Sequence, residues 1–146
     1  VDFLSVGSND LTQYLLAVDR NNPRVASLYN SFHPAVLQAL KKIADDANEV
    51  GSSLSICGEM AGDPAGAVLL IAMGYRALSM NAANLPRVKA VIREISLTWA
   101  ESLLDMVLKL DSPQVIKSTL DLALKEAGFS RYLRPERISH SHHVGV

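Results

Sequence analysis

Two short segments of this 146-residue sequence pass from apolar to polar within a few residues and carry side chains capable of chemistry. The first is Gly7-Ser8-Asn9-Asp10-Leu11-Thr12-Gln13-Tyr14, with Arg20 a short way beyond it. Asn9 offers an amide donor, Asp10 a hard carboxylate oxygen and Arg20 a planar guanidinium fork. These groups suit a phosphate, or Mg²⁺ carried by one, with a helix N-terminus nearby favouring anions. The plain alternative is that Ser8, Asn9 or Asp10 caps the next helix. The second segment, Ile56-Cys57-Gly58-Glu59-Met60-Ala61-Gly62-Asp63, surrounds the only cysteine. A thiol that keeps its proton at neutral pH can donate it, and an adjacent glycine lets a small ligand approach the backbone closely. Here the plain alternative is a small buried hydrophobe. Glu59 reads as a partner for a basic group or a turn cap.

Both segments follow runs with strand character. Residues 2–7, 53–57 and 77–80 are short and apolar, and each precedes a helical pattern or a helix start. The clearest helix covers 34–50, where Val36, Leu37, Leu40, Ile43, Ala44, Ala47 and Val50 recur at steps of three and four. Pro34 suits its first turn and Gly51 the position past its end. A second helix opens at Asp63-Pro64, continues to about residue 73 and is apolar nearly all round, so burial is expected. A third covers about 86–95. Strands alternating with helices predict a parallel sheet with crossovers, whose carboxyl ends carry the chemistry. After a boundary near Ser96 two appended helices are expected. The first has capping-box spacing at Thr98 and Glu101, with Ala100, Leu103, Leu104, Val107 and Leu108 inward. The second opens at Ser112-Pro113, turns Ile116, Leu120, Ala123, Leu124 and Ala127 inward, and stops at Gly128. The chain thus divides into a β/α region over 1–95, appended helices over 96–130 and a flexible tail over 131–146.

The 14 basic and 15 acidic side chains leave a net charge of −1, and 49% of the residues are hydrophobic. That composition excludes intrinsic disorder and disfavours a nucleic-acid-binding surface. Area scaling lets roughly two-thirds of the unfolded surface be buried, enough for one core. One cysteine rules out an internal disulfide and suits a reducing, cytoplasmic compartment. No apolar run approaches the roughly 20 residues of a membrane helix. The sequence begins with Val1 rather than Met, as a piece of a longer protein would. His140, His142 and His143 have imidazoles suited to a transition metal, but their terminal, serine-flanked setting reads as a tail. Arg131, Arg134 and Arg137 form too small a patch for nucleic acid. His33 reads as a cap or packing residue, and Trp99 as core or part of a dimer surface.

The wording of three blocks goes further than their chemistry. The run from Asp2 to Tyr14, then Ala17-Val18-Asp19-Arg20-Asn21, and Leu28-Tyr29 followed by His33-Pro34-Ala35-Val36-Leu37, resembles the phosphoenolpyruvate-utilising enzymes, and most of all enzyme I of the bacterial phosphotransferase system. Gly62-Asp63-Pro64-Ala65-Gly66-Ala67, Gly74-Tyr75 and Leu85-Pro86-Arg87-Val88 look like its nitrogen-related paralogue. The resemblance covers residues 1 to about 95. It implies an α/β fold, the last three βα units of a TIM-type (β/α)₈ barrel with two appended C-terminal helices. It also implies Cys57 as the acid that protonates the enolpyruvate carbon, Asn9 and Arg20 as phosphate-binding residues, and Asp10 as a ligand for the cofactor Mg²⁺. The partners so implied are phosphoenolpyruvate and pyruvate, a histidine phosphocarrier protein reached through other domains, and a second copy in a homodimer; nucleic acid and membrane are not among them.

Phosphoenolpyruvate synthase and pyruvate phosphate dikinase are the alternatives within enzymes, disfavoured by the 17–21 run and His33-Pro34. A non-catalytic dimerisation or binding module is the alternative outside them. Asn81, where serine is more usual, and Arg76, where an acidic residue is common, depart from the pattern. Three strands cannot close a barrel, so exposed strand edges and apolar faces are expected, and the chain by itself is expected not to turn over phosphoenolpyruvate.

Overall fold

The computed structural model describes residues 1–133. Strands β1 (Phe3–Gly7), β2 (Ser53–Cys57) and β3 (Ala77–Ser79) form one parallel sheet in the order β1-β2-β3. Six helices accompany it among the described residues: α1 (Ser8–Leu16), α2 (Pro34–Glu49), α3 (Pro64–Met73), α4 (Leu85–Glu94), α5 (Leu97–Val107) and α6 (Pro113–Glu126). The α/β alternation expected from the sequence is present. Helix α1 was the element not delimited by apolar periodicity, and it follows β1 without an intervening loop.

Caps explain most helix starts. His33 Nδ1 accepts from the Ala35 amide at 3.1 Å to open α2, and Pro34 occupies the first turn. Asp63 Oδ1 accepts from the amides of Ala65 and Gly66 at 2.8 and 3.3 Å to open α3. The expected capping box at Thr98 is displaced: Ser96 is the cap, its Oγ accepting from the Trp99 amide at 3.1 Å, and Thr98 lies inside the first turn. Ser96 competes successfully because it already has the extended backbone a cap requires. Two residues assigned inward are exposed: Val50 lies beyond the end of α2, and Ala127 follows the last turn of α6.

Helix α3 is the centre of the core. Eight of its ten residues are buried, as its all-round apolar sequence requires, and α2, α4, α5 and α6 all pack against it. One hydrophobic cluster includes Leu37 and Leu40 of α2, Ile56 of β2, Leu69 of α3, Leu104 of α5 and Leu120 of α6. Trp99 packs on its rim, half-buried. Gly66 marks the tightest approach, since a Cβ there would stand 2.3 Å from the Met60 carbonyl oxygen. Tyr75, fully buried after α3, donates its hydroxyl to the Leu40 carbonyl at 2.9 Å, and burial pushes the phenol well above its ordinary pKa. Tyr75→Phe removes one neutral hydrogen bond without leaving a large cavity. A loss of about 1 kcal/mol is expected in denaturant unfolding, with no effect on ligand binding.

The sheet is covered on one face only. Leu4, Val6, Leu54, Ile56 and Leu78 turn to the helices, with Ile56 fully buried. Strand alternation and register place Ser5, Ser55 and Ala77 in one row of the opposite face, and Gly7, Cys57 and Ser79 in the next. Phe3 on this face is 68% exposed. Parallel sheets are ordinarily buried on both faces, so this open, small and polar face is the unusual feature of the fold. An apolar groove of about 530 Å³, lined by Ile71, Leu78, Val88 and Ile92 among others, runs along β3. The groove and the exposed Phe3 agree with the expected exposure of apolar surface.

Candidate active site at the strand ends

The pairing of β1 with β2 sets Gly7 beside Cys57, so the two chemically suggestive segments leave the sheet on the same rim. Helix α1 begins at once. Ser8, almost fully buried, donates its hydroxyl to the Cys57 carbonyl at 2.8 Å and ties the start of α1 to the end of β2. Thr12, one turn on, donates to the Ser8 carbonyl at 2.7 Å.

Asn9 does not cap α1; the cap position is Gly7, and it makes no side-chain bond. Instead Asn9 Oδ1 accepts from the Glu59 amide at 3.1 Å and from the Tyr29 hydroxyl at 3.3 Å. A backbone N–H can only donate, so this contact fixes which end of the amide is oxygen. The Nδ2 group, with its two donors, makes no hydrogen bond among the described residues. Asp10 is exposed in the first turn of α1, where a carboxylate is favoured by the helix N-terminus, and its Oδ2 stands 3.8 Å from the place a Gly7 Cβ would take.

Cys57 is exposed among the described residues, on the uncovered face of the sheet. Gly58 turns the chain with φ +126°, a backbone conformation open essentially to glycine. The turn aims the Glu59 amide at Asn9. The Glu59 carboxylate accepts from Arg20 Nη1 at 2.9 Å, which is the pairing with a basic group foreseen for it. The Arg20 backbone amide in turn donates to Gln13 Oε1 at 3.1 Å, anchoring the loop after α1. One guanidinium donor is engaged by Glu59, and the others have no protein partner among the described residues.

Asn9 and Arg20 therefore each meet the Cys57–Glu59 turn through one hydrogen bond, to the Glu59 amide and carboxylate, with Ser8 supplying a third, and Asp10 stands next to Asn9 on α1. The arrangement combines amide and guanidinium donors for an anion with an accessible thiol. Tyr29 and Ser8 were not singled out by sequence as site residues. Ser8 was visible only as one candidate cap, and Tyr29 only as part of the family wording, since its contact with Asn9 spans 20 residues. Asn81 caps the short turn Ala82–Asn84 by accepting from the Ala83 amide at 3.1 Å. Arg76 donates to the carbonyls of Ile71 and Tyr75 at the end of α3. Among the described residues no three His, Cys, Asp or Glu side chains come together as a metal cluster, and no helix is long and apolar enough to cross a membrane. Arg134, Arg137, His140, His142 and His143 lie outside the described residues.

Comparison with known proteins gives this geometry a family. The profile described as PEP-utilising enzyme, PEP-binding domain, matches residues 1–97. A Salmonella typhimurium protein named phosphoenolpyruvate-dependent phosphotransferase system is 46% identical over 134 residues, covering 92% of this chain and 18% of the relative. The Escherichia coli protein of the same name matches with equal identity and coverage. A Borreliella burgdorferi phosphoenolpyruvate-protein phosphotransferase is 44% identical over 119 residues, 82% of this chain and 21% of that protein. The chain spans about a fifth of the length of these relatives. With a family match over two-thirds of its length and an open strand-end site formed from the same stretch, the chain belongs to the phosphoenolpyruvate-utilising enzymes, as part of their phosphoenolpyruvate-binding domain.

Proposed function

We propose that this chain is the C-terminal part of the phosphoenolpyruvate-binding barrel of a phosphoenolpyruvate–protein phosphotransferase. The parent enzyme moves the phosphoryl group from phosphoenolpyruvate to one of its own histidines and then to a histidine of a carrier protein, releasing pyruvate. The observation that carries this reading is the hydrogen-bonded junction of Asn9 with the Cys57–Glu59 turn beside an exposed thiol. In this reading β1, β2 and β3 are the last three strands of a TIM-type barrel, and their uncovered face is its interior. The family name and the relatives' names support the substrate. A cytoplasmic, homodimeric parent follows from the resemblance to enzyme I.

Each residue then has a definite task. Asn9 Nδ2 and the free Arg20 donors hold phosphate oxygens, neutralising charge as the phosphorus–oxygen bond to the enol breaks. The attacking histidine nitrogen takes the phosphoryl group, and the enolate of pyruvate remains. Cys57 gives the proton from its sulfur to the methylene carbon, completing the methyl group of pyruvate and leaving a thiolate to be reprotonated from solvent. Asp10 would supply one hard-oxygen ligand to the Mg²⁺ on which these enzymes generally depend, the remaining ligands coming from outside the described residues. A single exposed carboxylate does not make a Mg²⁺ site, so the described residues alone do not fit a resident ion, and no step here is routed through one.

The test is pyruvate release from phosphoenolpyruvate, followed with the parent enzyme and with this chain alone. The expected result is release by the parent in proportion to added carrier protein, without nucleotide, and none by the isolated chain. Release that requires adenine nucleotide would assign the parent to the synthase or dikinase branch. Turnover by the isolated chain would overturn its reading as an incomplete barrel.

A further inference from the structure

The mechanism above makes no use of α6, yet one of its side chains reaches the loop that carries the thiol. Lys117 Nζ lies 3.3 Å from Asp63 Oδ2, 3.2 Å from Asp121 Oδ1 and 5.0 Å from the centre of the Phe32 ring. Asp63 ends the turn that begins at Cys57, and its two carboxylate oxygens have separate duties. Oδ1 caps α3, while Oδ2 faces Lys117. Phe32 is nearly buried in the loop before α2, three residues after the Tyr29 whose hydroxyl bonds Asn9 Oδ1. The ammonium thus sits between two loops that both contact the same atom of Asn9: one through the Tyr29 hydroxyl, the other through the Glu59 amide.

We infer that Lys117 is a positioning residue that clamps the Cys57–Asp63 turn against the Tyr29–Phe32 loop and so sets the placement of the thiol. The strand fixes the turn at its Cys57 end, where Ser8 holds the carbonyl. Asp63 is the other end, and Lys117 holds it from outside the sheet. Both ends are needed, because proton transfer to carbon tolerates little displacement of the donor. The kinetic part of this inference rests on the reading of Cys57 as the acid; the geometric part does not.

The experiment uses the parent enzyme with Lys117→Met, which keeps an apolar stem over Phe32 and removes the charge, and with Lys117→Arg, which restores it. The alkylation rate of Cys57 by iodoacetamide, read on its own peptide by mass spectrometry, reports the thiol's placement without reference to turnover. With Lys117→Met this rate is expected to change about threefold or more. The kcat for pyruvate release is expected to fall about tenfold, with KM for phosphoenolpyruvate nearly constant. Lys117→Arg should return both to within about twofold of the parent. Asp63→Asn, which retains Oδ1 as a cap, should match Lys117→Met, and the double variant should be no worse than either. An unchanged alkylation rate in Lys117→Met, whatever its melting temperature, would overturn the inference. A changed rate with unchanged kcat would support the clamp while removing Cys57 from the role of acid.

Discussion

Cys57→Ala in the parent enzyme is expected to lower pyruvate formation by about 10² to 10⁴-fold, the usual worth of a positioned general acid. Phosphorylation of the enzyme histidine by phosphoenolpyruvate should remain detectable in a single turnover. The two outcomes separate because the thiol acts after the phosphoryl group has gone. Asn9 and Arg20 do not depend on the sulfur for their placement: Asn9 is held by the Glu59 amide and Tyr29, and Arg20 by Glu59 and Gln13. The helix-covered core of this chain is also spared, since Cys57 lies on the opposite sheet face and is not part of that hydrophobic cluster. The check is mass spectrometry of the phosphorylated protein beside a coupled assay for pyruvate. Equal loss of both signals would assign the thiol to phosphate binding. Retention of full turnover would remove it from the chemistry.

The elements that position this site were legible in the sequence to different degrees, for physical reasons. Helix α2 was plain, because an apolar stripe at steps of three and four and Pro34 in its first turn all agree. Helix α3 was plain for another reason: it is apolar on every side and lies at the centre of the core, so burial alone defines it. Helix α1 was not, because its nine residues begin in the polar site segment and bury only Ser8 and Thr12. A hydrophobic pattern cannot announce a helix whose buried positions are hydroxyls. The site itself was legible as residue types and as family wording, but not as contacts. The Tyr29 hydroxyl on Asn9 joins residues 20 apart, and the Lys117 pair with Asp63 spans 54. Periodicity is local, and neither contact has a local consequence. Caps were legible at His33, Asp63 and Ser112, each followed by proline, but not at the start of α5. The segment Ser96–Thr98 offers two suitable hydroxyls, and only the backbone conformation selects Ser96.

Gly58→Ala is expected to damage the site far more than its neighbours' packing would suggest. At φ +126° the position lies where an L-residue is strained, at a cost of order 1–3 kcal/mol. The new methyl would also stand 2.2 Å from Ser8 Oγ and 3.0 Å from Asn9 Oδ1. Ser8 cannot swing aside freely, because its buried hydroxyl would then abandon the Cys57 carbonyl, at a further cost of about 1–3 kcal/mol. Asn9 cannot retreat without losing the Glu59 amide. Every relaxation therefore moves the thiol turn away from the amide, and kcat/KM of the parent enzyme should fall about 100-fold, as a displacement of about 1 Å at a reacting centre does. Gly51→Ala is the matched control. It also has positive φ, at +67°, but a methyl there meets nothing within 4 Å. It should cost about 1 kcal/mol of stability and leave kcat/KM unchanged. Steady-state kinetics and thermal unfolding of both variants decide the matter. If Gly58→Ala behaves like Gly51→Ala, with a lower melting temperature and full activity, the close contact of Ser8, Asn9 and the Cys57 turn has no part in the chemistry.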